Sequence, residues 1–143
     1  MTSQEIEFNP TPDEVRGACQ GSLPLLVIRG LELFNAGEFF EAHEALETAW
    51  RDEPGAVREL YRGILQIAVA YYHIQRGNYR GASKMFARSR TWLAPFPGQC
   101  CGIDLAGLRC DADRVEEMLN RLGPDRLSHF DSGLFRPIAY QNP

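Results

Sequence analysis

The sequence predicts an all-α protein with two antiparallel helical hairpins as a four-helix core, a fifth C-terminal helix, and irregular N- and C-terminal arms. Apolar residues recur at helical spacing through residues 23–93. Glycine or proline interrupts this period at Gly37, Pro54, Gly77 and Pro95. A short internal repeat links the two halves of the segment. Together these features favour helices joined by tight turns.

The domain boundaries follow from where the apolar period begins and ends. Residues 1–21 contain Pro10, Pro12, Gly17 and Gly21 without a sustained apolar period, so we expect an arm that lies on the domain or is partly disordered. Residues 22–123 form the single helical domain. Residues 124–143 lack a regular period and form a C-terminal tail.

Four helices are predicted between residues 23 and 93. The first, 23–36, has Ser22 as N-cap and ends at Gly37. The second, 38–50, ends before the break at 52–55. The third, 56–76, is apolar on nearly all sides and should be the central, most buried helix. The fourth, 79–93, is ended by Pro95 and Pro97.

A long glycine-containing loop and one more helix complete the predicted elements. The loop spans 95–110, and Asp111 as N-cap opens the fifth helix, which ends at Gly123.

The internal repeat has an offset of 40 residues and aligns 35–42 with 75–82. A glycine, an aromatic residue and an alanine coincide: Gly37 with Gly77, Phe39 with Tyr79, and Ala42 with Ala82. Glycine closing one helix and alanine opening the next are typical of antiparallel helical hairpins.

Composition and charge argue against two classes of protein, nucleic-acid-binding proteins and membrane-spanning proteins. The 143 residues carry a formal net charge of -4, so no basic surface favours nucleic-acid binding. The longest apolar run, 64–72, is far shorter than the roughly 20 residues that cross a bilayer. The acidic N-terminus lacks the apolar core of a secretory signal, which predicts a cytoplasmic protein.

The four cysteines are expected to be reduced thiols, because no secretory signal precedes a chain long enough to bury a core without disulfides. Their spacing does not favour a zinc site, because Cys100 and Cys101 are adjacent and Cys110 lies nine positions further on, without Cys-x-x-Cys pairs.

The densest group of ligand-type residues lies in the second predicted helix. His43 and Glu47 are one helical turn apart and project from one face, which Trp50 continues. Three readings stay open: a structural hydrogen bond of a partly buried imidazole, a functional polar pocket, and a metal or acid–base site. Glu44 is a candidate for the rim of that pocket.

The third predicted helix offers further candidates on one stripe, Gln66 and His73, which we expect to face His43 and Glu47. A metal site formed by His43, Glu47 and His73 suits zinc or ferrous iron, although the standard metalloenzyme motifs are absent. Arg62 beside the second helix can instead neutralise Glu47, which favours the structural reading.

These residues carry a family resemblance. Residues 34–50 with the His-x-x-x-Glu-x-x-Trp pattern, the run 61–70 with Gly-x-x-Gln-x-Ala, His73, and 77–82 resemble the DUF309 family of bacterial and archaeal proteins. The resemblance spans about residues 30–93. It implies a small all-α domain and assigns no biochemical activity.

Two functions from different classes follow. The first is a binding or interaction module, in which the hairpin pair offers a groove to a peptide or partner and His43, Glu47, Gln66 and His73 form a polar network that fixes the packing. The second is a metal-binding protein or hydrolase-like enzyme, with Glu47 as base or ligand and the histidines as ligands or proton carriers. The sequence leaves open which protein or small molecule binds and whether the chain self-associates.

Overall fold

The structure, a computed structural model, describes residues 10–141 and confirms the all-α class. Helix bounds in chain order are α1 Pro12–Cys19, α2 Leu25–Asn35, α3 Phe39–Asp52, α4 Arg58–Gln75, α5 Tyr79–Leu93 and α6 Leu105–Leu122. Two antiparallel strands, β1 Gln99–Cys100 and β2 Ile103–Asp104, form a small hairpin before α6. Two 3-10 helices, Pro124–His129 and Ser132–Leu134, follow it. Within this part of the chain, none of the helices combines the length and apolar character that crossing a membrane requires.

Helices α2 to α5 pack in sequence, each against the next. The turns that close α2 and α4 share one geometry, as the repeat predicts. In each, a glycine at positive φ (Gly37 at 80°, Gly77 at 73°) follows the helix, and the next residue's N–H donates to a carbonyl five positions back, Glu38 to Leu33 and Asn78 to His73. This is the Schellman pattern, in which glycine adopts the left-handed conformation without a Cβ penalty.

The hairpin of α4 and α5 is held close by a small residue. A Cβ added at Gly63 would lie 2.4 Å from Cδ2 of Leu93, so the Leu93 side chain packs directly on Gly63 and fills the space that a side chain there would need. Helix α4 supplies the centre of the core, where Leu60, Ile64, Ala68 and Tyr71 are all inaccessible or nearly so. The prediction that this helix is the most buried one agrees with these exposures.

The N-terminal arm contains a helix that the sequence analysis did not predict. Thr11 caps α1 with a full capping box, since its side chain accepts from the Glu14 N–H and the Glu14 side chain accepts from the Thr11 N–H. Only Val15 of this helix is buried, which explains why no apolar period is visible. The predicted arm's residues 1–9 lie outside the described residues.

The start of the last helix was also predicted wrongly. Helix α6 begins at Leu105, and its N-cap is Asp104, seven positions before the predicted N-cap Asp111. The Asp104 Oδ1 accepts from the Gly107 N–H at 3.0 Å. An added Cβ at Gly107 would lie 2.4 Å from Asp104 Oδ2. This glycine therefore makes room for the capping carboxylate inside a helix, and is not part of a loop.

The expectation of four reduced thiols was wrong as well. Cys19 at the end of α1 and Cys100 in β1 form a disulfide, although they are 81 positions apart in sequence. The Cys101 N–H donates to the Cys19 carbonyl at 2.8 Å, and the Cys101 thiol lies 3.1 Å from the Ala18 carbonyl oxygen. Packing of α1 beside the β-hairpin brings the two cysteines together, which a long sequence separation hides. Cys101 and Cys110 are free.

Candidate functional site

The His-x-x-x-Glu-x-x-Trp residues lie on one side of α3, as helical spacing requires. His43 Nε2 is 3.8 Å from Glu47 Oε1, and Arg51, one turn further on, places its Nη2 3.1 Å from the same oxygen. The Glu47 side chain is 37 % exposed and that of His43 22 %. The carboxylate thus has two partners on its own helix and remains in contact with solvent.

Two contacts fix the register of α3 against α4. The rings of Phe40 and Tyr72 are 5.2 Å apart, and the guanidinium of Arg62 lies 4.5 Å from the centre of the Trp50 ring. Ten residues separate the two contacts on each helix, so the helices run antiparallel in register between them. His43 on α3 and Gln66 on α4 both belong to this stretch.

Arg62 does not pair with Glu47, contrary to the sequence-based expectation. Its guanidinium lies between two indoles, 4.5 Å from Trp50 and 4.0 Å from Trp92, and its Nε is 3.0 Å from Glu59 Oε1. Glu59 is only 7 % exposed. A second cation, Arg58, lies 4.8 Å from the Trp50 ring. Burial lowers the pKa of Arg62, which the Glu59 charge opposes.

Several polar atoms along this helix pair are buried without a hydrogen-bond partner in the described part of the chain: His43 Nδ1, Trp50 Nε1, Gln66 Oε1 and Glu59 Oε1. For Glu59 the contact with Arg62 is electrostatic rather than an aligned hydrogen bond. Buried polar groups usually have partners. The α3–α4 helix pair therefore carries several buried polar atoms within a largely apolar core.

His73 belongs to a different local structure. Its Nδ1 is 3.3 Å from Asn78 Nδ2, and the Asn78 Oδ1 accepts from the Gly81 N–H at 2.9 Å to cap α5. Burial lowers the pKa of His73. The imidazole thus packs against the turn that joins α4 to α5.

A zinc or iron site of His43, Glu47 and His73 does not fit this geometry. Across residues 10–141, no three His, Cys, Asp or Glu side chains converge as metal ligands would, whereas a catalytic zinc needs three protein ligands. The partners of Glu47 and His73 are instead an arginine on α3 and an asparagine in the next turn.

An exposed aromatic surface borders the motif. Phe40 is 42 % exposed, and its ring lies 5.5 Å from His43 and 5.2 Å from Tyr72. The Arg76 guanidinium lies 5.8 Å from the Tyr72 ring. We call Phe40, His43, Tyr72 and Arg76 the outer aromatic face. Glu44, predicted at the rim of a pocket, is exposed on the same helix.

Comparison with known families bears directly on this part of the chain. Residues 27–85 match the family described as "Domain of unknown function (DUF309)". This segment, less than half of the chain, is similar to DUF309 domains. It contains most of α2, all of α3 and α4 and the start of α5, and hence both the motif and the outer aromatic face.

Two proteins similar to this chain have names that assign no function. It is similar to "Uncharacterized protein YpuF" of Bacillus subtilis (strain 168), with 40 % identity over 60 residues, 41 % of this chain and 34 % of that protein. It is also similar to an "Uncharacterized protein" of Aquifex aeolicus (strain VF5), with 28 % identity over 85 residues, 57 % of this chain and 25 % of that protein. The chain therefore spans about a third and a quarter of these relatives.

Sequence reasoning did not identify Glu59 and Trp92, which complete the surroundings of Arg62. The spacing of Glu59 and Arg62, three residues apart on one helix, was a usable signal. Trp92 is contributed by α5, more than a helix away in sequence, and only the packing of α5 on α4 brings it to Arg62.

Proposed function

We propose that the DUF309-like domain is a protein-interaction module that binds a partner through its outer aromatic face. The exposed Phe40 carries this proposal, since it is a large aromatic side chain on the face that bears the family motif. Aromatic residues and arginine are enriched at interface hot spots. Tyr72 and Arg76 beside Phe40 supply that composition.

The motif residues give this face a fixed shape. Glu47 is paired along α3 by His43 and Arg51, and Arg62 holds Trp50 and Trp92 from α4. A rigid, preorganised surface loses less conformational entropy on binding than a mobile one. In this proposal, His43, Glu47, Trp50, Arg62 and Gln66 set the spacing of α3 and α4, and Phe40 makes the contact.

The proposal is tested by replacing Phe40 with the photoreactive amino acid benzoylphenylalanine in the full chain and irradiating the producing cells. We expect one discrete adduct, which a Tyr72→Ala change weakens and mass spectrometry identifies; an adduct of twice the chain mass would identify a second copy as the partner. Leu25, 85 % exposed at the start of α2, is the matched control position. Equal adducts at both positions, or indifference to Tyr72→Ala, would contradict the proposal.

Metal analysis of protein purified without a histidine tag or chelator tests the competing enzyme class. We expect less than stoichiometric zinc and iron. Stoichiometric metal that is lost in both His43→Ala and Glu47→Gln variants would favour the metal-dependent function instead.

A further inference from the structure

The C-terminal tail crosses a second aromatic cluster of the domain, on a different side of α3. Phe34, Phe39 and Tyr71 form this inner aromatic cluster, with ring centres 5.1 to 5.4 Å apart. Phe135 of the tail inserts its ring 4.7 Å from Tyr71 and 5.3 Å from Phe39. Phe130 stacks on Phe135 at 5.1 Å. A single tail side chain thus completes a cluster built by α2, α3 and α4.

Three residues after Phe135, the main chain of the tail is bound by one side chain. Asn35 Nδ2 donates to the Ile138 carbonyl at 2.9 Å, and the Ile138 N–H donates to Asn35 Oδ1 at 2.7 Å. Asn35 is the last residue of α2, immediately before the turn at Gly37, so its position is fixed by the hairpin. Both hydrogen bonds involve backbone groups and do not depend on which side chain stands at 138.

The tail continues to the β-hairpin and forms a β-bridge with it. The Asp104 N–H donates to the Ala139 carbonyl and the Gln141 N–H to the Gly102 carbonyl, both at 2.9 Å, with Ile103 opposite Tyr140. Residues 135–139 form neither helix nor strand. Ile138 is only 3 % exposed. Main-chain hydrogen bonds with pockets for separate side chains are how proteins recognise extended peptides.

We propose that this surface is a recognition site for an extended protein segment with a phenylalanine three positions before a branched apolar residue, and that residues 130–141 occupy it in cis. The site uses the inner aromatic cluster, Asn35 and the β-hairpin, none of which belongs to the outer aromatic face. It stands independently of the proposed function, and Phe40 variants leave it intact.

The tether determines how the site responds to a competitor. A segment joined to its site by a short linker acts at an effective concentration in the millimolar range. A free segment of the same sequence at micromolar concentration therefore cannot displace the tail of the wild-type chain. A change that weakens binding of the tail to the site allows the free segment to bind there.

The test is fluorescence anisotropy of a labelled synthetic peptide with the sequence of residues 130–141, titrated with full-length protein. We expect Phe135→Ala protein to bind the peptide about tenfold or more tightly than wild type, since the cis competitor is weakened. Adding Asn35→Ala to that variant should remove the gain. A peptide with alanine at the positions of Phe135 and Ile138 is the control.

Equal binding by wild type and Phe135→Ala protein, or binding that Asn35→Ala leaves unchanged, overturns the proposal. Hydrogen exchange on the wild-type chain decides the matter if Phe135→Ala fails to fold. We expect the Ile138 and Gln141 amides to exchange through local opening, at least about tenfold faster than core amides of α4. Exchange of these amides only at the rate of global unfolding would make the tail a permanent part of the core and overturn the proposal.

Discussion

Reduction of the Cys19–Cys100 disulfide should destabilise the protein by about 4.5 kcal/mol. The bond joins cysteines that are 81 positions apart, and the loop-closure entropy for that length amounts to about 4.5 kcal/mol at room temperature. Residual structure in the reduced, unfolded chain lowers this figure, so about 2 to 4.5 kcal/mol is the range to expect. The effect acts on the unfolded state, because α1 itself buries only Val15.

Urea unfolding followed by circular dichroism, with and without a dithiol reductant, measures this difference. Cys19→Ser should reproduce the loss without reductant, and Cys110→Ser, which changes an exposed free thiol, is the control. A loss below about 1 kcal/mol in both the reduced protein and Cys19→Ser would refute the entropic argument.

Thiol titration with Ellman's reagent checks the pairing independently. Native protein should react quickly at Cys110 alone, because Cys101 is buried and burial raises the pKa of its thiol. Denaturation without reductant should bring the total to two, the free cysteines. A total of four would show that the disulfide is absent.

Three further predictions concern the motif and its surroundings. Arg62→Ala should cost about 2 to 4 kcal/mol, because it leaves the buried Glu59 carboxylate without its cation; Arg62→Lys should recover part of this in the same urea experiment. His43→Ala should cost less than about 1 kcal/mol, since Glu47 is partly exposed and keeps its arginine partner, and a loss above about 2 kcal/mol would contradict this. Burial lowers the pKa of His73 from its ordinary 6.5, so the unfolded chain binds more protons than the folded one and the free energy of unfolding falls as the pH drops below about 6.5. His73→Gln should reduce the difference in this free energy between about pH 7.5 and 5.5. An unchanged difference would contradict this assignment.

The helical core could be predicted from sequence because the residues that end its helices act locally. Glycine at 37 and 77 and proline at 95 act on their own turns, and the observed bounds of α2 to α5 lie within two residues of the predicted ones. The same local reading failed at Gly107. A glycine beside Gly98 and Gly102 indicates a loop, but here it accommodates the Asp104 cap inside α6.

Contacts within one helix could be predicted from this sequence, but contacts between distant segments could not. Helical spacing brings His43 beside Glu47 whatever the tertiary fold, and their separation of 3.8 Å follows from it. The Glu59 partner of Arg62 is equally local, since it lies one turn away on the same helix, whereas Trp92 reaches Arg62 only because α5 packs on α4. Asn35 gave no signal at all. An exposed polar residue before a glycine turn is ordinary, and its role depends on Ile138, about a hundred positions later.

The β-hairpin contacts both the N-terminal helix α1 and the C-terminal tail. The Cys101 N–H donates to the carbonyl of Cys19 at the end of α1, and the Gly102 carbonyl accepts from the Gln141 N–H. Residues 19 and 141 therefore both contact this hairpin, which brings the N-terminal helix and the C-terminal tail close together. A circular permutant with joined termini and a new opening in the turn before α4 should therefore keep the order of packed helices. A donor–acceptor dye pair near residues 20 and 141 would show by a loss of energy transfer when either segment leaves the β-hairpin.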